Sequence, residues 1–257
     1  MNIQRVLTIS KNVFAELIRQ RVMYIIIFYL VVLLVSFPFL KEISVGTENK
    51  IFVDLGLGLM GILGLIVIVF IGTSLINKEI EKRTILVLIS KPVSRTEFLL
   101  GKHLGLSAVL GLMLLVMSVI YFTLLTVRQV QFPFGSILIA IIFLFFELCV
   151  LAAVALFFGS FTNTLLATLL TTAVYVMGHL SRDLLQLGTI SKSSNIKNVT
   201  QALYLVLPDL GRLDLKNLAV YGILPSGIDL FLNAVYGLFY VVLLLAFANL
   251  IFSRRQF

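Results

Sequence analysis

The side chains of this chain that are equipped for chemistry are charged, and they are concentrated. Between two long apolar runs lies Asn77–Gly105, NKEIEKRTILVLISKPVSRTEFLLGKHLG, which carries Lys78, Lys82, Arg83, Lys91, Arg95 and Lys102 out of twenty lysines and arginines in all. Glu79, Glu81 and Glu97 are interspersed among them. Such a segment is suited to ionic contact with a partner protein. Elsewhere the chemical groups are isolated. Glu147 is the acid deep within an apolar run, and three roles are open to it: binding a cationic substrate, pairing with another helix, or sitting protonated. His103 stands at the mouth of another run, and His179 has Asp183 four residues on, too few ligands for a metal site. No HExxH, no paired intramembrane aspartates and no Ser–His pairing points to an enzyme, and no GxxxxGK[ST] loop is present to cradle nucleotide phosphates.

The charged island has readable punctuation. Glu79 and Arg83 stand four apart in the favoured order for a helical pair. Thr84–Ile89 is apolar and partly β-branched, which suits a face held against a membrane. Pro92 disfavours helical geometry at Lys91, so a break is expected there. Ser94-x-x-Glu97 then reads as a capping box, with Val93 and Phe98 at the hydrophobic-staple positions, so a new helix is expected from Arg95. Gly101 and Gly105 form a GxxxG that permits close backbone approach. The same pattern also fits a solvated linker with ordinary caps.

The elements that must position these groups are membrane helices. Of 257 residues, 60% are hydrophobic and 12% charged, about half the charged share of a soluble domain. The fold class is all-α, a polytopic membrane protein. Six segments have the roughly 20 apolar residues a helical span requires: approximately Val22–Leu40, Val53–Ile76, Leu104–Val127, Ile137–Phe158, Leu165–Leu180 and Leu230–Phe252, the fifth being shortest. Glu147 costs its span about 2.5–3.5 kcal/mol, which some 18 apolar neighbours at about −0.3 to −0.6 kcal/mol each outweigh. Gly56, Gly58, Gly61 and Gly64 in the second span allow close helix contact.

Basic residues near span ends place both termini and the island in the cytoplasm. The net charge of +8 is explained by that bias and not by nucleic-acid binding. Before the first span, residues 1–21 read as an amphipathic helix lying in the interface, apolar side toward the acyl chains. Residues 181–229 form a long outer segment, too polar to span, with short helices on or dipping into the outer leaflet, broken at Pro208 and Pro225. The single Cys149 permits no intrachain disulfide.

The island resembles the signature of type 2 ABC exporter permeases, the ABC-2 type, in their compact six-span branch. Glu79, Glu81, Thr84, Pro92, Ser94, Arg95, Glu97, Gly101 and Lys102 stand in the family's order; Lys82-Arg83-Thr84 departs from it where many members have Gly before the Thr. The resemblance implies a single permease domain over residues 1–257, with an elbow helix (1–21), two spans (22–76), a coupling segment (77–103), three spans (104–180), the outer segment (181–229) and a last span with its tail (230–257). It implies a coupling helix between spans two and three, seated on a separate ATPase subunit, with Glu79, Glu81, Lys82, Arg83, Thr84, Lys91, Pro92, Ser94, Arg95, Glu97, Gly101 and Lys102 as coupling residues. Two ATPase copies and a second permease chain, identical or paralogous, are implied, in the plasma (inner) membrane. ATP and magnesium would be bound by the ATPase and no cofactor by this chain. The substrate cavity would lie along spans two and five. The alternative function is an ATPase-coupled scaffold or assembly factor that moves no substrate.

Overall fold

The computed structural model describes residues 2–43, 48–81, 94–190 and 194–254. They are helical and without strands. Helix α1 spans Ile3–Leu17 and passes through a π-helical turn, Ile18–Val22, into α2, Met23–Ile43. α3, Glu48–Val67, continues through a second π turn, Ile68–Gly72, into α4, Ser74–Glu81. α5 runs Arg95–Val127, α6 Phe134–Gly159 and α7 Thr164–His179. The connection that follows holds α8 (Ser181–Ile190), α9 (Ser194–Val206), a 3₁₀ turn (Leu210–Arg212) and α10 (Lys216–Val220). α11, Gly227–Arg254, closes the described chain.

Five of these helical stretches are long and apolar enough to cross a membrane, and α7 with α8, bent by 59°, is a sixth when the pair is taken as one span. The expected six segments correspond to these elements. The difference lies in the fifth: α7 has only 16 residues, about 24 Å at 1.5 Å per residue, short of a hydrocarbon core of about 30 Å. Successive spans alternate in direction. The end of the bundle carrying α1, the end of α4 and the start of α5 is called here the island end, and the other the far end.

α6 is the centre of the bundle. Of its span, 72% is buried, against 11% for α2 and 22% for α11. Its run Val150–Leu156 is enclosed on every side, and three of those residues are alanines that let neighbouring helices come close. α2 and α11 are peripheral, with apolar faces turned outward. The glycines of α3 divide by role. A Cβ on Gly56 would stand 2.3 Å from the Tyr121 ring and one on Gly64 2.5 Å from Leu148, so α5 and α6 pack directly over those positions. Gly58 faces open space. At Gly61 the neighbour is the Lys216 ammonium, 3.2 Å from where a Cβ would be.

α1 forms over the residues expected to be an amphipathic helix. Asn2 caps it by accepting from the Gln4 amide, and Val6, Val13 and Leu17 are buried. Its partner is α5. Cβ atoms on Gly101 and Gly105 would fall 2.7 Å from the Cβ atoms of Ile9 and Val13, and the latter also 2.8 Å from the Ser10 carbonyl oxygen. The GxxxG therefore receives α1 rather than a second span. Ile3 and Leu7 remain exposed on its other side.

Gly105→Ala forces a methyl against backbone that cannot yield cheaply. We expect it to cost about 1–3 kcal/mol and to speed amide exchange in α1, whereas Gly58→Ala leaves both unchanged, as read by thermal unfolding and hydrogen exchange of the purified chain.

Candidate functional site

Two polar assemblies interrupt the apolar bundle, one at each end. At the island end everything converges on the first two turns of α5. Ser94 caps the helix: its Oγ accepts from the Glu97 amide at 3.2 Å, and Glu97 Oε2 accepts from the Ser94 amide at 3.1 Å. The other carboxylate oxygen, Oε1, accepts from the Asn2 amide at 2.6 Å, and Arg5 stands 3.9 Å from Oε2. One carboxylate thus caps α5 and fastens the start of α1. Arg95 donates to the Phe252 carbonyl oxygen at 2.6 Å, and Phe98 stacks on the Phe252 ring at 6.1 Å. These contacts hold the end of α11. Lys102, 4% exposed, donates to Glu79 Oε1 at 2.6 Å and joins α5 to α4 across the island.

The structure therefore places Glu79, Arg95, Glu97, Gly101 and Lys102 in contacts within the chain. Ser94 is exposed. Glu81 ends α4. Lys82, Arg83, Thr84, Lys91 and Pro92 lie outside the described residues, as does the Arg83 end of the expected Glu79–Arg83 pair. Glu79 is paired with Lys102, a partner 23 positions away that helical spacing cannot reveal.

α4 is tied to the start of α7. Thr73 Oγ1 donates to the Val69 carbonyl oxygen within the π turn, and Thr168 Oγ1 on α7 also reaches that oxygen, at 3.2 Å. The Asn77 carboxamide, oriented to satisfy both neighbours, donates to the Thr162 carbonyl oxygen at 2.9 Å and accepts from the Thr164 amide at 3.2 Å. The wide turn frees backbone acceptors that a regular helix would use itself, and hydroxyls of the neighbouring span satisfy them. Spans two and five thus meet through polar groups just inside the island end.

At the far end the polar groups belong to the connection, part of which packs into the bundle. Leu210, Leu213, Leu215 and Ala219 are buried, and the Lys216 ammonium reaches Gly61 of α3. Irregular backbone inside a membrane protein is tolerated where protein encloses it. Asp209 fixes its entrance, accepting from Ser181 Oγ (3.2 Å), Arg182 Nε (3.0 Å) and Arg212 Nε (3.1 Å) while its amide donates to the Tyr236 hydroxyl (2.7 Å). The exit is a Schellman motif: Gly222 has φ +71°, and the Gly222 and Ile223 amides donate to the carbonyl oxygens of Ala219 and Leu218.

This segment carries Asp214 and Lys216 to Glu147. Glu147, 1% exposed, has Oε1 3.3 Å from His179 Nε2; the same nitrogen is 3.5 Å from Asp214 Oδ2, which is 3.4 Å from Lys216 Nζ. Four ionisable groups from α6, α7 and the connection thus stand in one line. Burial opposes the charge on Asp214, yet His179 and the Lys216 ammonium hold its carboxyl below the usual range. Burial likewise opposes the Lys216 charge, and Glu147 and Asp214 nonetheless hold its pKa above the ordinary one. Asp54 lines the same opening as Asp214 and Lys216, about 390 Å³ in volume. His179 therefore meets Glu147 and Asp214 rather than acting with Asp183. Among the described residues no group of His, Cys, Asp and Glu is arranged to hold a metal ion. His103 is an internal bond: its Nε2 lies 3.1 Å from the Cys149 carbonyl oxygen, beside an apolar groove of about 900 Å³ between α1, α5, α6 and α11.

Residues 7–257 match the family described as ABC-2 family transporter protein. The chain belongs to that family. It is an integral membrane permease of the ABC transporter class. No curated protein matches it significantly. For an ABC-2 permease the island is the segment between spans two and three, and the capped start of α5 is where that segment re-enters the bundle. Sequence reading located that start but missed Asp214 and Lys216. The available signal was an acid and a base two apart inside the apolar stretch Leu213–Leu218.

The Lys102–Glu79 pair is unequal, since Lys102 is 5% exposed at its side chain and Glu79 25%. Stranding the deeper charge costs more. We expect Glu79→Gln to lower stability by about 3 kcal/mol and Lys102→Met by less, with the double variant losing less than the sum, as measured by denaturant unfolding in detergent.

Proposed function

We propose that this permease is the membrane half of an exporter driven by a separate ATPase. Family membership supports the class of machine. The observation that carries the coupling is the bracing of the island: its ends, α4 and the start of α5, are tied by the Lys102 Nζ–Glu79 Oε1 contact of 2.6 Å. A segment braced at both ends transmits displacement to both spans instead of absorbing it. In this reading residues 77–103 are the coupling segment, within one permease domain of residues 1–257 integral to the plasma (inner) membrane, and they face the cytoplasm together with both termini. Lys82, Arg83, Thr84, Lys91 and Pro92 make the docking surface. Glu79, Glu81, Ser94, Arg95, Glu97, Gly101 and Lys102 fasten it to α1, α4 and α11 or stand at its borders.

The working unit is two permease chains, identical or paralogous, on two ATPase subunits that bind ATP and magnesium; this chain binds no cofactor. Closure of the ATPase pair drives the island ends inward. The α4–α7 contacts at Thr73, Asn77 and Thr168 carry that motion to spans two and five, which line the path between the two permeases. Access then alternates between the two faces of the membrane, and substrate leaves outward.

Reversing a charge in the docking surface should separate docking from folding. Arg83→Glu and Lys91→Glu are expected to reduce recovery of the ATPase in copurification at least about tenfold, an affinity loss of about 1.4 kcal/mol, with unchanged thermal unfolding of the permease. Wild-type recovery with both variants would remove the docking role. Glu97→Gln, by contrast, should release α1 before it affects docking, read as faster amide exchange over residues 3–17.

A further inference from the structure

The far-end cluster contains a conflict that one added proton resolves. His179 Nδ1 lies 3.0 Å from the Tyr175 carbonyl oxygen. A carbonyl only accepts, so Nδ1 carries a hydrogen. The other ring nitrogen, Nε2, then faces Glu147 Oε1 at 3.3 Å and Asp214 Oδ2 at 3.5 Å. If Nε2 were bare and both carboxyls ionised, lone pairs would confront lone pairs. One additional proton removes the conflict, either on Nε2, making imidazolium, or on a carboxyl that donates to Nε2. Glu147 Oε2 is buried and makes no hydrogen bond, so the site offers that carboxylate no other relief.

Charge accounting gives the same answer. With the added proton, Glu147, Asp214, His179 and Lys216 sum to zero; without it they carry one net negative charge, and Glu147, 1% exposed, has no water to share it with. An uncompensated charge on so buried a group is strongly unfavourable. The titratable groups around the site are Glu147 on α6, Tyr175 and His179 on α7, Asp214 and Lys216 on the connection, and Asp54 on α3, whose own acid beside the opening adds to the demand for positive charge.

The geometry points to Glu147, His179 and Asp214 as a proton-binding site whose proton holds the inward-packed segment, residues 208–220, in the bundle. The segment supplies Asp214, so its departure dismantles the site. By linkage, the docked form binds the proton more tightly than the released form. The proton's contribution is therefore fully present at low pH and is lost as pH rises through the titration of the docked cluster. A segment that closes the far end of spans two and five is then sensitive to the pH of the face on which it opens.

The test needs only the full-length chain in phosphatidylcholine nanodiscs. The sequence has two histidines, so ring-¹⁵N-labelled histidine gives two sets of signals and His179→Gln assigns them. At pH 6 we expect His179 protonated on both nitrogens, or on Nδ1 alone together with a carboxylic acid infrared band that Glu147→Gln or Asp214→Asn abolishes. A neutral ring with hydrogen on Nε2, or on Nδ1 without that band, would overturn the proposal. Ring signals that change on adding a chelator would also overturn it, replacing the proton by a bound cation. Amide exchange of residues 208–220, corrected for its intrinsic pH dependence, should be about tenfold faster at pH 9 than at pH 6, the ratio set by a tenfold difference in proton affinity between docked and released forms. In Glu147→Gln a non-titrating amide donates to Nε2, and protection should persist at both pH values. Equal wild-type protection at the two pH values would overturn the proposal even if that variant does not fold. No ATP, partner or substrate enters the experiment, so its failure leaves the export reading standing, and failure of that reading leaves this result intact.

Discussion

Hydrocarbon offers no water to a polar group, and every polar feature of this bundle is arranged around that deprivation. Glu147 illustrates it most clearly. It sits in the middle of α6, the most enclosed helix, and the structure brings three other ionisable side chains to it from two different elements. Two of them arrive on a segment that spans nothing. The inward-packed stretch is held among the spans because Leu210, Leu213, Leu215 and Ala219 are buried there and Asp209 and the Gly222 turn close its two ends. The charge requires the segment, and the segment requires the surrounding packing.

The island end meets the same constraint differently. Its charges lie near water, but those on α5 turn inward. Glu97 satisfies the free amides at the starts of two helices, α5 and α1, with one carboxylate. Lys102 reaches Glu79 through a largely apolar neighbourhood. These bonds make the first turns of α5 a junction where α1, α4 and α11 meet. A displacement of those turns would be passed to three helices at once.

Local signals were legible in the sequence, and long-range ones were not. The capping box at Ser94 and Glu97 involves residues three apart, and the helix begins where that spacing says it must. Apolar run length located the spans for the same reason: bilayer thickness acts on each helix separately. The GxxxG at Gly101 and Gly105 announced a close approach without naming the partner, which is α1. Glu79 pointed by helical spacing to Arg83 and is found with Lys102, because tertiary contact overrides a pairing worth only a few tenths of a kcal/mol. The cluster at Glu147 was invisible for the same reason. Its members are separated by 32 or more positions between Glu147 and His179 and between His179 and Asp214, and nothing short of the fold draws them together.

The two polar assemblies are connected through α6 and α7. α7 begins at the Asn77 and Thr168 contacts of the island end and terminates at His179 in the far-end cluster. α6 runs beside it, with Glu147 facing His179 and Gly159 against the Thr73 carbonyl at α4. A tilt or slide of α7 relative to α6 alters both sets of contacts together. At the far end the tolerance is small, since carboxylate and imidazole are 3.3 Å apart and nothing polar stands ready to replace either. A small displacement of α7 against α6 is therefore enough to disrupt the far-end cluster, and because His179 also faces Asp214 at 3.5 Å, the same displacement reaches the connection.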